Sequence, residues 1–185
     1  MRQVIEWLLT IAVAVAFVLV FEAEVAKPFR IPSPSMEPTL HCARPERQCR
    51  ARFSDRVFAC RFCYHLTSPK RGDIVVFQTP AVAAARCGFS GTYVKRLIGL
   101  PGERWEERNG YVYIDGRRLD EPYVRSKERD VQTHPVVRIP EGRYFMMGDN
   151  RSGSCDSRAW GTVARNDIIG KVVATYWPPD RLSIR

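Results

Sequence analysis

Residues 7–21 carry a single polar side chain, Thr10, and Val4 and Ile5 extend the apolar run on the far side of Glu6. As a helix, residues 4–21 would rise about 27 Å at about 1.5 Å per residue, close to the hydrocarbon thickness of a bilayer. A cleaved secretory signal is the rival reading, and it needs small residues at −3 and −1 of the cut. Cutting after Ala26 puts Glu24 at −3, cutting after Ala23 puts Phe21 there, and the small-residue pattern of residues 12–16 lies mid-span. A core helix of this length without a polar face is rare. The pattern therefore predicts a transmembrane anchor within residues 1–26. Arg2 is offset by Glu6, so the charges ahead of the span do not fix orientation. The tail before the span is too short to hold a domain, which leaves the function to residues 27–185.

Beyond the anchor the pattern turns to short apolar runs between turn signals, the signature of strands. Ile74-Val75-Val76-Phe77 follows Arg71-Gly72-Asp73. Asn109-Gly110 and Asp115-Gly116 are hairpin turns that flank Tyr111-Val112-Tyr113-Ile114, predicting a meander over residues 105–119. Further strands are expected at residues 136–139, 143–147 and 171–176. No later segment sustains a 3.6-residue apolar period, although residues 163–169 allow a brief turn. The expectation is one mainly β domain behind a single N-terminal transmembrane helix.

Charge adds a partner class. The chain has 29 basic and 20 acidic residues, net +9. Residues 1–24 contribute Arg2, Glu6, Glu22 and Glu24, so the remainder carries +11. Basic and acidic residues are interspersed and no nucleic-acid motif is present. A membrane surface of anionic phospholipid is therefore the expected partner, and nucleic acid is not.

Two islands carry candidate chemistry. Ser35 lies in Ile31-Pro32-Ser33-Pro34-Ser35-Met36-Glu37-Pro38-Thr39-Leu40, and Lys95 in Tyr93-Val94-Lys95-Arg96. A serine hydroxyl needs a base to take its proton. His41, His65 and His134 lack a partnering pattern. A lysine can serve if an apolar site disfavours its ammonium form, and strand residues around Lys95 could desolvate it. From this local context alone Lys95 reads as one of many surface lysines.

The islands together resemble the type I signal peptidases (leader peptidases). Residues 32–40 are similar to that family's serine box, Lys70-Arg71-Gly72-Asp73-Ile74-Val75-Val76-Phe77 to its next strand, and residues 93–103 to its lysine box. Gly148-Asp149-Asn150-Arg151, Ser154 and Asp156-Ser157-Arg158-Ala159-Trp160-Gly161 resemble its closing box. The resemblance covers most of residues 29–173. It implies a coiled antiparallel β-sheet domain and a serine endopeptidase that removes signal peptides from exported preproteins after small residues of the Ala-x-Ala type. Ser35 would be the nucleophile and Lys95 its base. Ser33 and the Ser35 N–H would meet the oxyanion, with Ser154, Asp156 and Arg158 in support. Phe29, Ile31, Leu40 and Val94 would line the small-residue pockets. The resemblance implies a monomer without cofactor, held single-pass in the plasma membrane with its catalytic domain on the outer face.

Two features depart from that family. Pro34 stands where many relatives have glycine, and it favours extended geometry at Ser33. Residues 41–52 read as an insert. With Cys60, Cys63 and His65 they bring four cysteines and two histidines together, a set that permits zinc. On an exported surface disulfides are the simpler outcome. Cys42 with Cys49 and Cys87 with Cys155 are the expected bridges, leaving Cys60 and Cys63 over, and no metal is expected. A catalytically silent binding protein of the same fold and a zinc-containing membrane adaptor are the alternatives.

Overall fold

The computed structural model describes residues 2–20, 26–88 and 90–185. Helix α1 spans Arg2–Val20, and its apolar side chains, Trp7, Leu8, Leu9 and Ile11 among them, are exposed. The anchor expectation needs correction here. No helix among the described residues is long and apolar enough to cross a membrane. The first turns of α1 include Arg2, Gln3 and Glu6. Residues 7–20 alone rise about 21 Å, short of a hydrocarbon core of about 30 Å. Phe21 and residues 22–25, which complete the expected anchor, lie outside the described residues.

The rest is built from two antiparallel sheets. The larger has eight strands in the path β1 (Ala26–Arg30), β2 (Arg56–Cys60), β11 (Ile168–Trp177), β3 (Ile74–Gln78), β4 (Thr92–Gly99), β9 (Arg143–Met147) and β10 (Val163–Ala164), with β12 (Ser183–Ile184) on β11. The smaller has the order β7 (Arg117–Arg118), β6 (Tyr111–Ile114), β5 (Arg104–Arg108) and β8 (His134–Arg138). Register shifts in the β11 pairings with β2 and β3, and in β4 with β9, bend the large sheet, as extra residues in one strand do. The mainly β, antiparallel expectation holds.

Three short helices lie among the strands: α2 (Cys63–Leu66), α3 (Val82–Cys87) and α4 (Ser157–Trp160). They escape the sequence pattern because four to six residues are too few to display a 3.6-residue period. Residues 163–169 hold the short strand β10 and one 3₁₀ turn, Arg165–Asp167, before β11 begins.

Alternating faces of β3 and β4 feed two different cores, and this sets up the site. Val75, Phe77 and Leu97 pack with Tyr144, Met146 and Trp160. Ile74 and Val76 pack with Ile31, Met36, Leu40 and Val57. A third cluster joins the sheets, with Trp105 of β5 stacked on Phe145 of β9 at 4.1 Å between ring centroids. Strand β4 is thus buried on both faces along its second half, a setting in which a charged side chain is costly unless neutralised. Lys95 sits there.

Candidate active site

Ser35 lies in a 3₁₀ turn, Pro34–Met36, that follows β1 and is buried. Pro34 at the start of the turn supplies a helical φ and needs no N–H partner. Ser33 ahead of it is extended, φ −126° and ψ 156°. The proline is therefore accommodated, because the geometry it imposes on Ser33 is the geometry present. The Ser33 and Ser35 hydroxyls are 3.2 Å apart.

Lys95 is paired with Val75 of β3 and is only 2% exposed. Burial lowers its pKa from 10.5 to about 8, against the attraction of Asp156 and Asp149 and with the help of Arg158. It makes no salt bridge among the described residues, and its Nζ lies 5.6 Å from the Tyr93 ring centroid. Such a lysine is neutral in a useful fraction near neutral pH, so it can accept a proton.

Both groups open onto one cleft of about 490 Å³, whose lining includes Phe29, Ile31, Ser33, Ser35, Val94 and Lys95. Its walls near the serine come from the turn after β1 and from the start of β4, and they are largely apolar. Leu40 is fully buried in the core behind this wall, beside Ile31 and Met36, and does not line the cleft. A smaller depression adjoins it, sharing Gly153 and Cys155, and another lies by Arg118 and Glu121; both are lined mainly by polar and charged side chains.

The closing segment holds these parts from behind. The Asn150 N–H donates to the Ser35 carbonyl at 3.1 Å, and its side-chain amide donates to the Pro34 carbonyl at 3.2 Å. Gly148 lies against the same turn: a Cβ there would sit 2.3 Å from Ser154 Oγ and 2.4 Å from the Ser35 carbonyl oxygen. Ser154 Oγ is buried with no hydrogen-bond partner among the described residues. Asp156 accepts from the Gly148 N–H at 3.0 Å and from Arg158 Nε and Nη2 at 2.9 Å each. Burial alone would raise the Asp156 carboxyl, but Arg158 and then Lys95 hold it below the usual carboxylate range. Arg158 also donates to the Arg151 carbonyl at 2.7 Å and to Asp130 at 2.5 Å, which ties α4 to the loop before it and to the segment ahead of β8.

Gly148 and Asn150 were visible in the sequence as members of a box, but nothing in it marked them as supports of Ser35. Asp149 is a third such residue: it takes a two-pronged contact from Arg96 at 2.8 and 2.6 Å and one from Thr39 at 2.5 Å. This anchors the neighbour of Lys95 to the chain just after Ser35. His41, which lacked a partnering pattern in the sequence, pairs through Nδ1 with the fully buried Glu37 carboxylate and does not line the cleft.

A buried ion pair, Arg151 with Glu121, underlies the closing segment, and Arg151 Nε also donates to the Gly148 carbonyl at 3.0 Å. Removing one partner strands the other charge away from water. Glu121→Ala is expected to lower unfolding free energy by about 3–5 kcal/mol, read by urea denaturation. Loss below about 1 kcal/mol would mean that water replaces the carboxylate.

The cysteines pair Cys42 with Cys49, Cys60 with Cys63 and Cys87 with Cys155, at Cα separations of 5.0, 5.5 and 6.0 Å. Cys60 and Cys63, left over in the sequence reading, meet because β2 ends at Cys60 and α2 turns the chain back at Cys63. With every cysteine cross-linked, the thiolates that a zinc site in this region would need are not available.

The model of a family described as signal peptidase, peptidase S26, matches residues 4–177. Signal peptidase I of Leptolyngbya laminosa is 38% identical over 178 residues, covering 96% of this chain and 81% of that protein. Signal peptidase IB of Staphylococcus aureus is 31% identical over 193 residues, covering 96% of this chain and 91% of that protein. The crystal structure of a signal peptidase I from Enterococcus faecalis V583 is 34% identical, with a TM-score of 0.47 over 57% of this chain and 97% of that one. The family match over residues 4–177, with relatives 38% and 31% identical along 96% of this chain, shows that the chain belongs to the signal peptidase I family.

Proposed function

We propose that this chain cuts signal peptides from preproteins after small residues, Ala-x-Ala in type, by a Ser35/Lys95 dyad. The observation that carries the reading is one cleft lined by a serine hydroxyl, a second hydroxyl 3.2 Å from it and a buried lysine of lowered pKa. Ser35 Oγ attacks the scissile carbonyl and its proton passes to neutral Lys95. The oxyanion is met by the Ser35 N–H and the Ser33 hydroxyl, donors that act on charge developing in the transition state. The lysine ammonium then protonates the leaving amine, and the acyl-enzyme is hydrolysed by a water that Lys95 deprotonates. The unpartnered Ser154 hydroxyl is the group that would steady the lysine, with Asp156 and Arg158 behind it.

The substrate would run extended along the walls formed after β1 and at the start of β4, with small side chains set against Phe29, Ile31 and Val94 and Leu40 supporting them from the core. One chain supplies every group in this scheme, which favours a monomer. Helix α1, with its exposed apolar side chains, is the part that would meet membrane phospholipid and hold the domain on the outer face of the plasma membrane.

The test is cleavage of a preprotein ending in Ala-x-Ala, in detergent with phospholipid, with the cut located by N-terminal sequencing. Wild type should cut after the second alanine, Ser35→Ala should not, and leucine at −1 or −3 should block the cut. Cutting that survives Ser35→Ala would sink the dyad. Equal cutting after leucine would sink the small-residue pockets.

A further inference from the structure

The loop between Cys42 and Cys49 reaches the cleft. Glu46, at its exposed tip, contributes to the lining that also holds Ser35 and Lys95. The loop is closed by its disulfide, and a backbone turn from the Cys49 N–H to the Glu46 carbonyl, 3.1 Å, fixes the tip. It is also docked on the site. Gln48, in left-handed geometry at φ 68°, accepts from Asn150 Nδ2 at 3.4 Å, the same amide that holds the Pro34 carbonyl. Gly153, another lining residue, packs so closely on Gln48 that a Cβ there would sit 2.5 Å from its Oε1. Among the described residues the Glu46 carboxylate has no hydrogen-bond or ion-pair partner. An anionic group is thus held at the cleft by a short cross-linked loop without an ion pair among the described residues, although Arg44 and Arg47 stand on the same loop.

Resting on the proposed cleavage, we propose that Glu46 is a specificity-determining residue that favours preproteins with a basic side chain in the first residues after the cut. The apolar lining, Phe29, Ile31 and Val94, suits the small residues before the scissile bond. The loop instead docks on Asn150, which holds the Pro34 and Ser35 carbonyls, so on this proposal Glu46 would face the segment after the cut. A carboxylate there attracts Lys or Arg in the departing segment and disfavours Asp or Glu. Because the group is exposed, the preference is modest and sensitive to salt.

The experiment uses the full chain in detergent with phospholipid and three preproteins that differ only at the second residue after the cut: Lys, Ala or Glu. The readout is the ratio of kcat/KM for Lys over Ala, and for Glu over Ala, within each enzyme, so that any general change in activity cancels. Wild type should favour Lys about three- to fivefold at low salt and lose most of that preference at high salt. Glu46→Gln should bring both ratios near one, and Glu46→Lys should make Glu the favoured residue. Ratios in wild type near one, or a Lys preference unaltered in Glu46→Gln, would overturn the proposal. Failure of the cleavage reading itself would be seen separately, as cutting of the Ala substrate that persists in Ser35→Ala.

Discussion

Lys95→Met will be inactive and, near neutral pH, more stable than the parent. Methionine keeps the length of the stem but has no proton to take or give, so cleavage should fall at least about a thousandfold, within the range for losing a positioned base and acid together. The gain in stability comes from the same burial that tunes the lysine. A pKa lowered from 10.5 to about 8 means that the folded state resists protonating Lys95. At about 1.4 kcal/mol for each tenfold in proton affinity, the protonated form near pH 7 costs the fold about 3 kcal/mol. Methionine removes that cost, but Asp156 loses a favourable neighbour, so a net gain of about 1–3 kcal/mol is expected.

The pH dependence follows with its sign. Between about pH 8 and 10.5 the unfolded chain holds the proton that the folded chain has released, so wild-type stability rises through that window. The advantage of Lys95→Met should shrink there. Cleavage by wild type should climb roughly tenfold per pH unit below about 8 and level off above, because only neutral lysine accepts the serine proton. Urea denaturation at pH 7 and pH 10, with a pH–rate profile, measures all of this. A variant no more stable than the parent would show that Lys95 is not held at a cost, and a rate profile centred near 6.5 would point to a histidine base.

Gly148→Ala will cost about a hundredfold in kcat with little change in KM. The new Cβ would meet Ser154 Oγ at 2.3 Å, the Ser35 carbonyl oxygen at 2.4 Å and Ser154 Cβ at 2.6 Å. None of these is the free end of a long side chain. Two belong to Ser154 and the third to the Ser35 backbone, so relief requires moving the site by close to 1 Å. A displacement of that size is enough to lose about two orders of magnitude. Overpacking of this kind also destabilises by about 1–3 kcal/mol. Steady-state kinetics with a small-residue substrate separates the two parameters. A variant with normal kcat would mean that the turn carrying Ser35 shifts without consequence.

Much of the strand content was legible because short apolar runs bounded by turn signals such as Asn-Gly and Asp-Gly report local geometry directly. Residues 143–147 are strand in both readings. The meander expected over residues 105–119 is the β5, β6 and β7 unit. The short helices were not legible, since α2 and α3 are set by the Cys60–Cys63 turn and by packing of Ala83 rather than by a repeat. Nor was the limit of α1, whose polar first turns shorten its apolar length. At the candidate site, residue types and order named Ser35 and Lys95, and the resemblance named Ser154, Asp156 and Arg158, but only contacts brought in the three residues ahead of them. Gly148, Asp149 and Asn150 act on groups more than fifty residues away through steric fit and backbone hydrogen bonds. The reach of Glu46 into the cleft likewise depends on how the loop folds back, which no local pattern encodes.

The hold of Asn150 on the Ser35 carbonyl also sets a timetable. A ribosome delivers the serine first, the lysine sixty residues later and the loop that fastens both only after residue 148. Until that last stretch has left the exit tunnel and docked, the serine turn lacks its clasp and Lys95 lacks the carboxylate behind it. The growing chain therefore lacks the assembled cleft until residues 148–158 have docked.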